Sequence, residues 1–250
     1  MAISVKNAEE IEKMRVANRI VGHVLVEIEE FIRPGVSTAF LDEKAEEIIR
    51  SYGAVPSFKG YEGFPAAICA SVDDELIHGI PDKRHILREG SLISIDVGTL
   101  IDGFNGDGAR TYAVGEISPE ARQLMEVTEQ AFFAGIEFAR AGHHLHEISA
   151  AIQHEADKYG YGVVREYVGH GIGREMHEDP QIPNYKPIGR GPKLCPGMTL
   201  AIEPMFNMGR PQVEVLDNDW TVVSADGSLT CHYENTILIT ESGCEILTII

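Results

Sequence analysis

The sequence predicts one α/β domain made of two related halves, roughly residues 1–115 and 116–250. Three observations lead there. The chain has 250 residues, enough for one large domain or two small ones with a full core, and its 44% apolar and 24% charged residues are the balance of a globular protein. The order helix, helix, strand occurs twice. The two occurrences also match at a constant offset of 107: Arg33 falls on Arg140, Gly35 on Gly142, Tyr52-Gly53 on Tyr159-Gly160, Gly90 on Gly197, Ile93 on Leu200, Ile95 on Ile202 and Asp96 on Glu203. One register held across about 60 positions reads as an internal duplication rather than two unrelated runs of similar length. No linker rich in Pro, Ser or Gly parts the halves, so they are expected to share one sheet.

The elements follow in order. Residues 7–32 read as a helix, because Ile11, Met14, Val21, Val24, Leu25, Ile28 and Ile32 recur at three- and four-residue steps. Asn7 caps it, Glu10 completes a box-like pair, and Arg33-Pro34-Gly35 ends it. A second helix starts near Ser37 or Thr38 and stops at Gly53, a suitable left-handed residue past a helix end. Strands follow around 92–97 and 109–114. Ser118-Pro119-Glu120 opens a third helix with a cap and a first-turn proline, running to about Arg140. A fourth lies between Arg140-Ala141-Gly142 and Tyr159-Gly160, and strands come near 199–203 and 231–240.

Charge narrows the function. Acids outnumber bases 39 to 21, for a formal charge of −18, so a broad basic face for nucleic acid is not expected. No apolar run approaches the roughly 18 residues of a membrane helix. The opening MAISVKNAEEIEKMRV lacks the basic-then-apolar order of a secretory signal. Cys69, Cys195, Cys231 and Cys244 form no C-x-x-C pair and read as reduced thiols of a cytoplasmic protein. Carboxylates that hold divalent cations count as negative in a sequence but are neutralised in the working protein.

The duplication ends an apolar strand with an acid in each half, Asp96 in SLISIDVG and Glu203 in MTLAIEPM. An ionised carboxylate beside a buried run is costly unless paired, and two at equivalent positions point to a shared site between the halves. Asp107 in NGDGART follows Asp96 across a hairpin containing Asp102, Gly103 and Gly106, which can set the two acids side by side. In the second half Glu234 in HYENTILIT sits on a strand that can return beside Glu203, whereas the strict offset points Asp107 at Glu214. Spacing alone does not choose between them. His78-Gly79-Ile80 and His170-Gly171-Ile172 echo each other, one per half, and His177 follows seven residues after His170.

Four carboxylates and one imidazole favour hard or borderline divalent ions with positions left for water. Four carboxylates carry −4, which two dications cancel and one does not. That favours two ions roughly 3.5–4 Å apart with a bridging hydroxide as nucleophile. Sparse cysteines argue against structural zinc. His143, His144 and His146 are metal-like in spacing but lie at a helix start, where capping is the expected role; His23, His85 and His154 read as surface or helix-face residues. GFNGDG has no following Lys-Ser/Thr, so it is no phosphate loop, and no G-x-S-x-G element supports a serine hydrolase.

The segment YVGHGIGREMHEDPQIPNY, with SIDVGTLIDGFNGDGART, LAIEPMF and YENT, resembles the type I methionine aminopeptidases along essentially the whole chain. The resemblance implies the pita-bread fold: pseudo-twofold halves with a curved antiparallel central sheet covered by helices and the site at the centre. It implies metal ligands Asp96, Asp107, His170, Glu203 and Glu234 around two divalent ions (Mn, Fe, Co or Zn). Asp107 and Glu234 would bridge the ions, Asp96 would serve one, and His170 and Glu203 the other. Glu214 then becomes a strand-surface acid. Glu203 would shuttle a proton to the leaving amine, His177 would donate to the scissile carbonyl and His78 would hold the peptide. Tyr61, Phe64 and Cys69 match the methionine pocket, with Trp220 at its rim; Phe64 and Met176 depart from the aromatics close relatives often carry.

By the same resemblance the reaction is removal of an N-terminal methionine when the second residue is small. The expected partners are peptide and nascent-chain N-termini near the ribosome, with no nucleic-acid or membrane binding, and the protein is expected to act as a monomer. The Met1-Ala2 start would itself be a substrate. Only 25 residues separate His177 from Glu203, too few for the helical insertion of the type II enzymes, and no zinc-finger or proline-rich extension precedes the first helix, as in the bacterial form. The competing readings are an X-Pro hydrolase of the same fold, which usually has an added N-terminal domain, and a metal-free binding protein.

Overall fold

The structure is a computed structural model, described over residues 3–250; the Met1-Ala2 start lies outside the described residues. Four α-helices form among those residues: α1 (Ala8–Glu29), α2 (Thr38–Ser51), α3 (Pro119–Ile136) and α4 (Leu145–Tyr159). The expected caps are all present. The Asn7 side chain accepts from the backbone N–H groups of Glu9 and Glu10, and the Glu10 carboxylate accepts from Asn7 N–H. Ser37 and Ser118 cap α2 and α3. α1 ends at Glu29, three residues before the expected limit. Pro34 disfavours a helical Arg33, and the chain leaves through a tight turn in which Phe31 and Ile32 N–H reach the Ile28 and Glu29 carbonyls. α3 likewise ends at Ile136 rather than near Arg140, closing in the tight bonds Phe138 N–H to Gly135 and Ala139 N–H to Ile136.

The strand Leu92–Ile101 pairs antiparallel with Phe104–Ala113 along one edge and, along the other, with Ile68–Val72 and then Val55–Pro56. Both hairpin strands are longer than expected, because Asp102 (φ 51°) and Gly103 (φ 77°) make a two-residue turn directly between Ile101 and Phe104. In the second half Thr199–Ile202 lies between Gly169–Gly171 and Asn235–Ile239. Pro204 interrupts that line, which resumes as Met205–Asn207 between Gly162–Val163 and Thr230–His232. The central sheet is therefore a set of adjoining ladders rather than one unbroken one.

The offset of 107 is exact in the backbone. Gly35 and Gly142 have φ 89° and 88°, and Gly90 and Gly197 have 87° and 89°. Gly35 N–H bonds to the Leu87 carbonyl, as Gly142 N–H does to Leu194. Val55 pairs with Leu100, and Gly162 with Asn207. One expected equivalence fails. Ser94 pairs with Ser71, and its counterpart Ala201 pairs with His170. His170 thus corresponds to Ser71, and the same offset of 99 sets His78 against His177. The second half has eight fewer residues in this stretch, so the two His-Gly-Ile segments are not structural counterparts.

Alternation along the strands separates core from site. Ile93, Ile95 and Val97 pack with Val21, Ile28, Leu41 and Ile49 of α1 and α2. Leu200 and Ile202 pack with Leu124, Phe132, Ile148 and Ile152 of α3 and α4. Each such buried side chain contributes about 1.5–3 kcal/mol. The intervening residues, Asp96 and Glu203 among them, fall on the face away from the helices.

Candidate metal centre

The site forms where the halves meet. Ala109 and Glu234 exchange backbone bonds of 3.3 and 2.9 Å. Thr111 Oγ1 donates to the His232 carbonyl at 2.9 Å, and Thr236 Oγ1 to the Asp107 carbonyl at 2.9 Å. This seam brings Asp107 from one half beside Glu234 from the other. Asp96 pairs across with Ala109, and Gly98 with Asp107, so Asp96 and Asp107 are diagonal neighbours on adjacent strands, side by side as expected. Asn235 pairs with Ile202, which carries Glu234 alongside Glu203 just past its strand. Glu214 is exposed on Val213–Val215.

His170 completes the group. Its Nδ1 donates to the Gly171 carbonyl at 2.9 Å, which leaves Nε2 free to face the acids, 3.6 Å from Asp107 and 3.8 Å from Glu203. One ligand atom each from Asp107, His170 and Glu234 lies within 4.8 Å of the others. The lining of the cavity includes all four acids and His170 but no lysine or arginine. Burial, then repulsion from Asp107 and Glu203, holds Asp96 and Glu234 well above the usual carboxylate range. Asp96 Oδ1 and Asp107 Oδ1 are buried without a hydrogen-bond partner. Buried acceptors with no donor, crowded among like charges, are a donor set that fits divalent cations.

Two histidines flank the acids as pseudo-twofold mates. The Tyr61 hydroxyl is 2.9 Å from His177 Nδ1, and the His177 ring lies 4.4 Å from that of His170. His78 packs edge-on against Tyr167 and Trp220, and its φ of 57° is a left-handed conformation unusual for a residue with a side chain. Burial pushes both down to about 4, His78 further by His232 and His177 further by His170, so both rings are neutral at pH 7. Beside them Tyr61, Phe64, Cys69 and Trp220 line an apolar slot, with Phe64 edge-on to Trp220 at 5.1 Å.

Phe58, Glu62 and His232 line or face the site without having been predicted from the sequence. Phe58 walls the slot, lying so close over Gly98 that a Cβ there would come within 2.6 Å of its ring. It sits in a loop with no periodicity to reveal it. His232 is 1% exposed, makes no hydrogen bond at either ring nitrogen, and holds Nε2 3.5 Å from Glu203 and 3.8 Å from Glu234. Its signal was available: it is two residues before Glu234 and shares its face. His144 stands at the start of α4, where the Glu147 carboxylate accepts from its backbone N–H at 3.2 Å; its ring does not cap the helix but bonds the Gly191 carbonyl through Nδ1 at 3.0 Å.

A buried acid-and-imidazole cluster at the seam of a duplicated α/β fold defines a metallopeptidase-type centre, and the chain matches metallopeptidase family M24 over residues 12–241. It belongs to that family, and its fold is the pita-bread fold. It is 56% identical over 247 residues to a methionine aminopeptidase of Clostridium acetobutylicum, covering 99% of each chain. It is 51% identical to methionine aminopeptidase 1 of Bacillus subtilis, covering 97% of this chain and 98% of that one. The crystal structure of a methionine aminopeptidase from Thermotoga maritima superposes with a TM-score of 0.98 at 44% identity, covering all of both chains. A prolidase from Pyrococcus furiosus is more distant, with a TM-score of 0.78 at 28% identity, covering 98% of this chain but 65% of that one.

Proposed function

We propose that this chain is a metal-dependent methionine aminopeptidase that removes N-terminal methionine when the second residue is small. The observation that carries the reading is the convergence of four carboxylates and His170 beside an apolar slot. Asp96, Asp107, His170, Glu203 and Glu234 would hold two divalent cations of manganese, iron, cobalt or zinc. When bound, such ions lower the pKa of water and so supply hydroxide near neutral pH.

The chain's own residues do the rest. Glu203 takes a proton from the attacking water and passes it to the leaving amine. His177 is neutral and its Nδ1 lies 2.9 Å from the Tyr61 hydroxyl; with that hydroxyl donating to Nδ1, the ring proton stands on Nε2, ready to donate to the scissile carbonyl as negative charge develops. His78 holds the peptide on the other side. The methionine thioether packs among Tyr61, Phe64, Cys69 and Trp220; burial keeps the Cys69 thiol protonated and effectively apolar.

Residues 1–115 and 116–250 would work as one catalytic domain, since each supplies ligands. Because initiator methionine sits on nascent chains, we also place the enzyme in the cytoplasm near the ribosome, acting as a monomer; gel filtration and ribosome co-sedimentation check both. Hydrolysis of a Met-Xaa-Ser series tests the main reading. Rapid release of methionine from Met-Ala-Ser and Met-Gly-Ser, falling with bulky second residues, is expected. Turnover confined to X-Pro peptides would overturn it.

A further inference from the structure

We propose that Arg110 is a positioning residue that fixes Glu234 from the face of the seam opposite the acid cluster. The inference rests on the reading of Glu234 as a metal ligand.

Glu234 does not sit in a strand. It lies with Tyr233 in the two-residue break between Thr230–His232 and Asn235–Ile239, where regular pairing lapses. The ladder bond that remains to its carbonyl, from Ala109 N–H, is a long 3.3 Å. Something else must define where Glu234 stands. Arg110 is on Phe104–Ala113, and alternation turns it to the face opposite Asp107, the face on which Tyr112 reaches the Leu25 carbonyl of α1.

From there one guanidinium engages both residues of the break and Asn235, the first residue of the strand that follows. Its Cζ lies over the Tyr233 ring, 4.2 Å from the centroid. Nη1 donates to the Glu234 carbonyl at 2.5 Å and to the Ala109 carbonyl at 2.8 Å. Nη2 donates to Asn235 Oδ1 at 2.6 Å, and Thr248 Oγ1 donates to that same oxygen at 2.7 Å. A planar fork with five donors can stack and bond in this way at once; an ammonium cannot. With no lysine or arginine in the cavity lining, Arg110 supplies from behind what that lining lacks.

A residue that only braced the fold would change melting and leave the metal site alone, so the test reads the metal. The probe is Co²⁺ added to metal-stripped full-length protein, followed by calorimetry and visible absorption. Partners behind metal ligands set affinity by about 10- to 100-fold, so Arg110→Met is expected to weaken Co²⁺ binding by that factor and alter the absorption spectrum. Arg110→Lys should recover only part, having one point charge in place of the fork.

Arg110 also borders two open clefts, one with Gly22, Val26 and Thr248 and one with Met125, Glu129 and Cys231. Millimolar guanidinium can therefore reach the space left in Arg110→Ala and should restore its Co²⁺ affinity. A folded Arg110→Met protein with the parent's affinity and spectrum would overturn the proposal. If that variant fails to fold, Arg110→Ala decides: Co²⁺ affinity unaffected by guanidinium overturns it too. A parent protein that bound no Co²⁺ at all would instead bring down the metal reading beneath it.

Discussion

Removing divalent ions should cost this protein much of its stability, and the cost should grow with pH. Asp96, Asp107, Glu203 and Glu234 share one cavity with no lysine or arginine in its lining. Two dications cancel their formal charge of −4. An ion held at 100 times its dissociation constant stabilises the folded state by about 2.7 kcal/mol, so two independent ions give about 5 kcal/mol. For a chain of this size each kcal/mol moves Tm by about 2–4 °C, which predicts a rise of about 10–20 °C.

The pH dependence has a definite sign. In the stripped protein Asp96 and Glu234 titrate above their ordinary values of 3.8 and 4.5, chiefly through burial. A raised folded pKa gives stability that is complete below the unfolded value and is lost as pH rises through the folded one. The stripped protein should therefore melt lower at about pH 8 than at about pH 5.5, and the gain on adding Mn²⁺ should be larger at the higher pH. Calorimetry of stripped and reloaded samples measures both. A Tm unmoved by saturating Mn²⁺ at either pH would refute the reasoning.

The remaining predictions concern single side chains. Glu203→Gln should lower kcat by about 10²–10⁴-fold, as loss of a general acid–base group does, when assayed on Met-Ala-Ser with metal present. Tyr61→Phe removes the hydroxyl 2.9 Å from His177 Nδ1 and, at about 1 kcal/mol for that bond, should cost about fivefold in kcat/KM. Gly98→Ala would drive a Cβ to 2.6 Å from the Phe58 ring, so Phe58 must shift into the slot, and KM for methionyl peptides should rise more than kcat falls. His144→Ala should cost about 1 kcal/mol through the lost bond from Nδ1 to the Gly191 carbonyl and leave metal stoichiometry unchanged, measured by calorimetry and metal analysis.

The helices and the duplication were legible in the sequence because they rest on local chemistry. Asn7 with Glu10, Ser37 and Ser118-Pro119 announce helix starts by side-chain bonding within a turn. The repeated glycines mark positive φ at matching bends. The acids Asp96 and Glu203 stood out because each ends an apolar run.

What distance decides was less visible. Asp107 meets Glu234 only through bonds between residues more than 120 apart, and spacing could not separate Glu234 from Glu214; the family resemblance did. The pairing of His78 with His177 was hidden by eight residues missing from the second half. Phe58 and Arg110 act through a loop and a strand's far face, where residue type alone carries no signal.

The central claim is that acids from two halves assemble a cation site that makes water reactive. Titrating Mn²⁺ or Co²⁺ into chelator-stripped protein while following methionine release from Met-Ala-Ser tests it directly. Activity should be absent before addition and rise with bound ion. Full hydrolysis by the stripped protein, with no bound ion found by metal analysis, would contradict it.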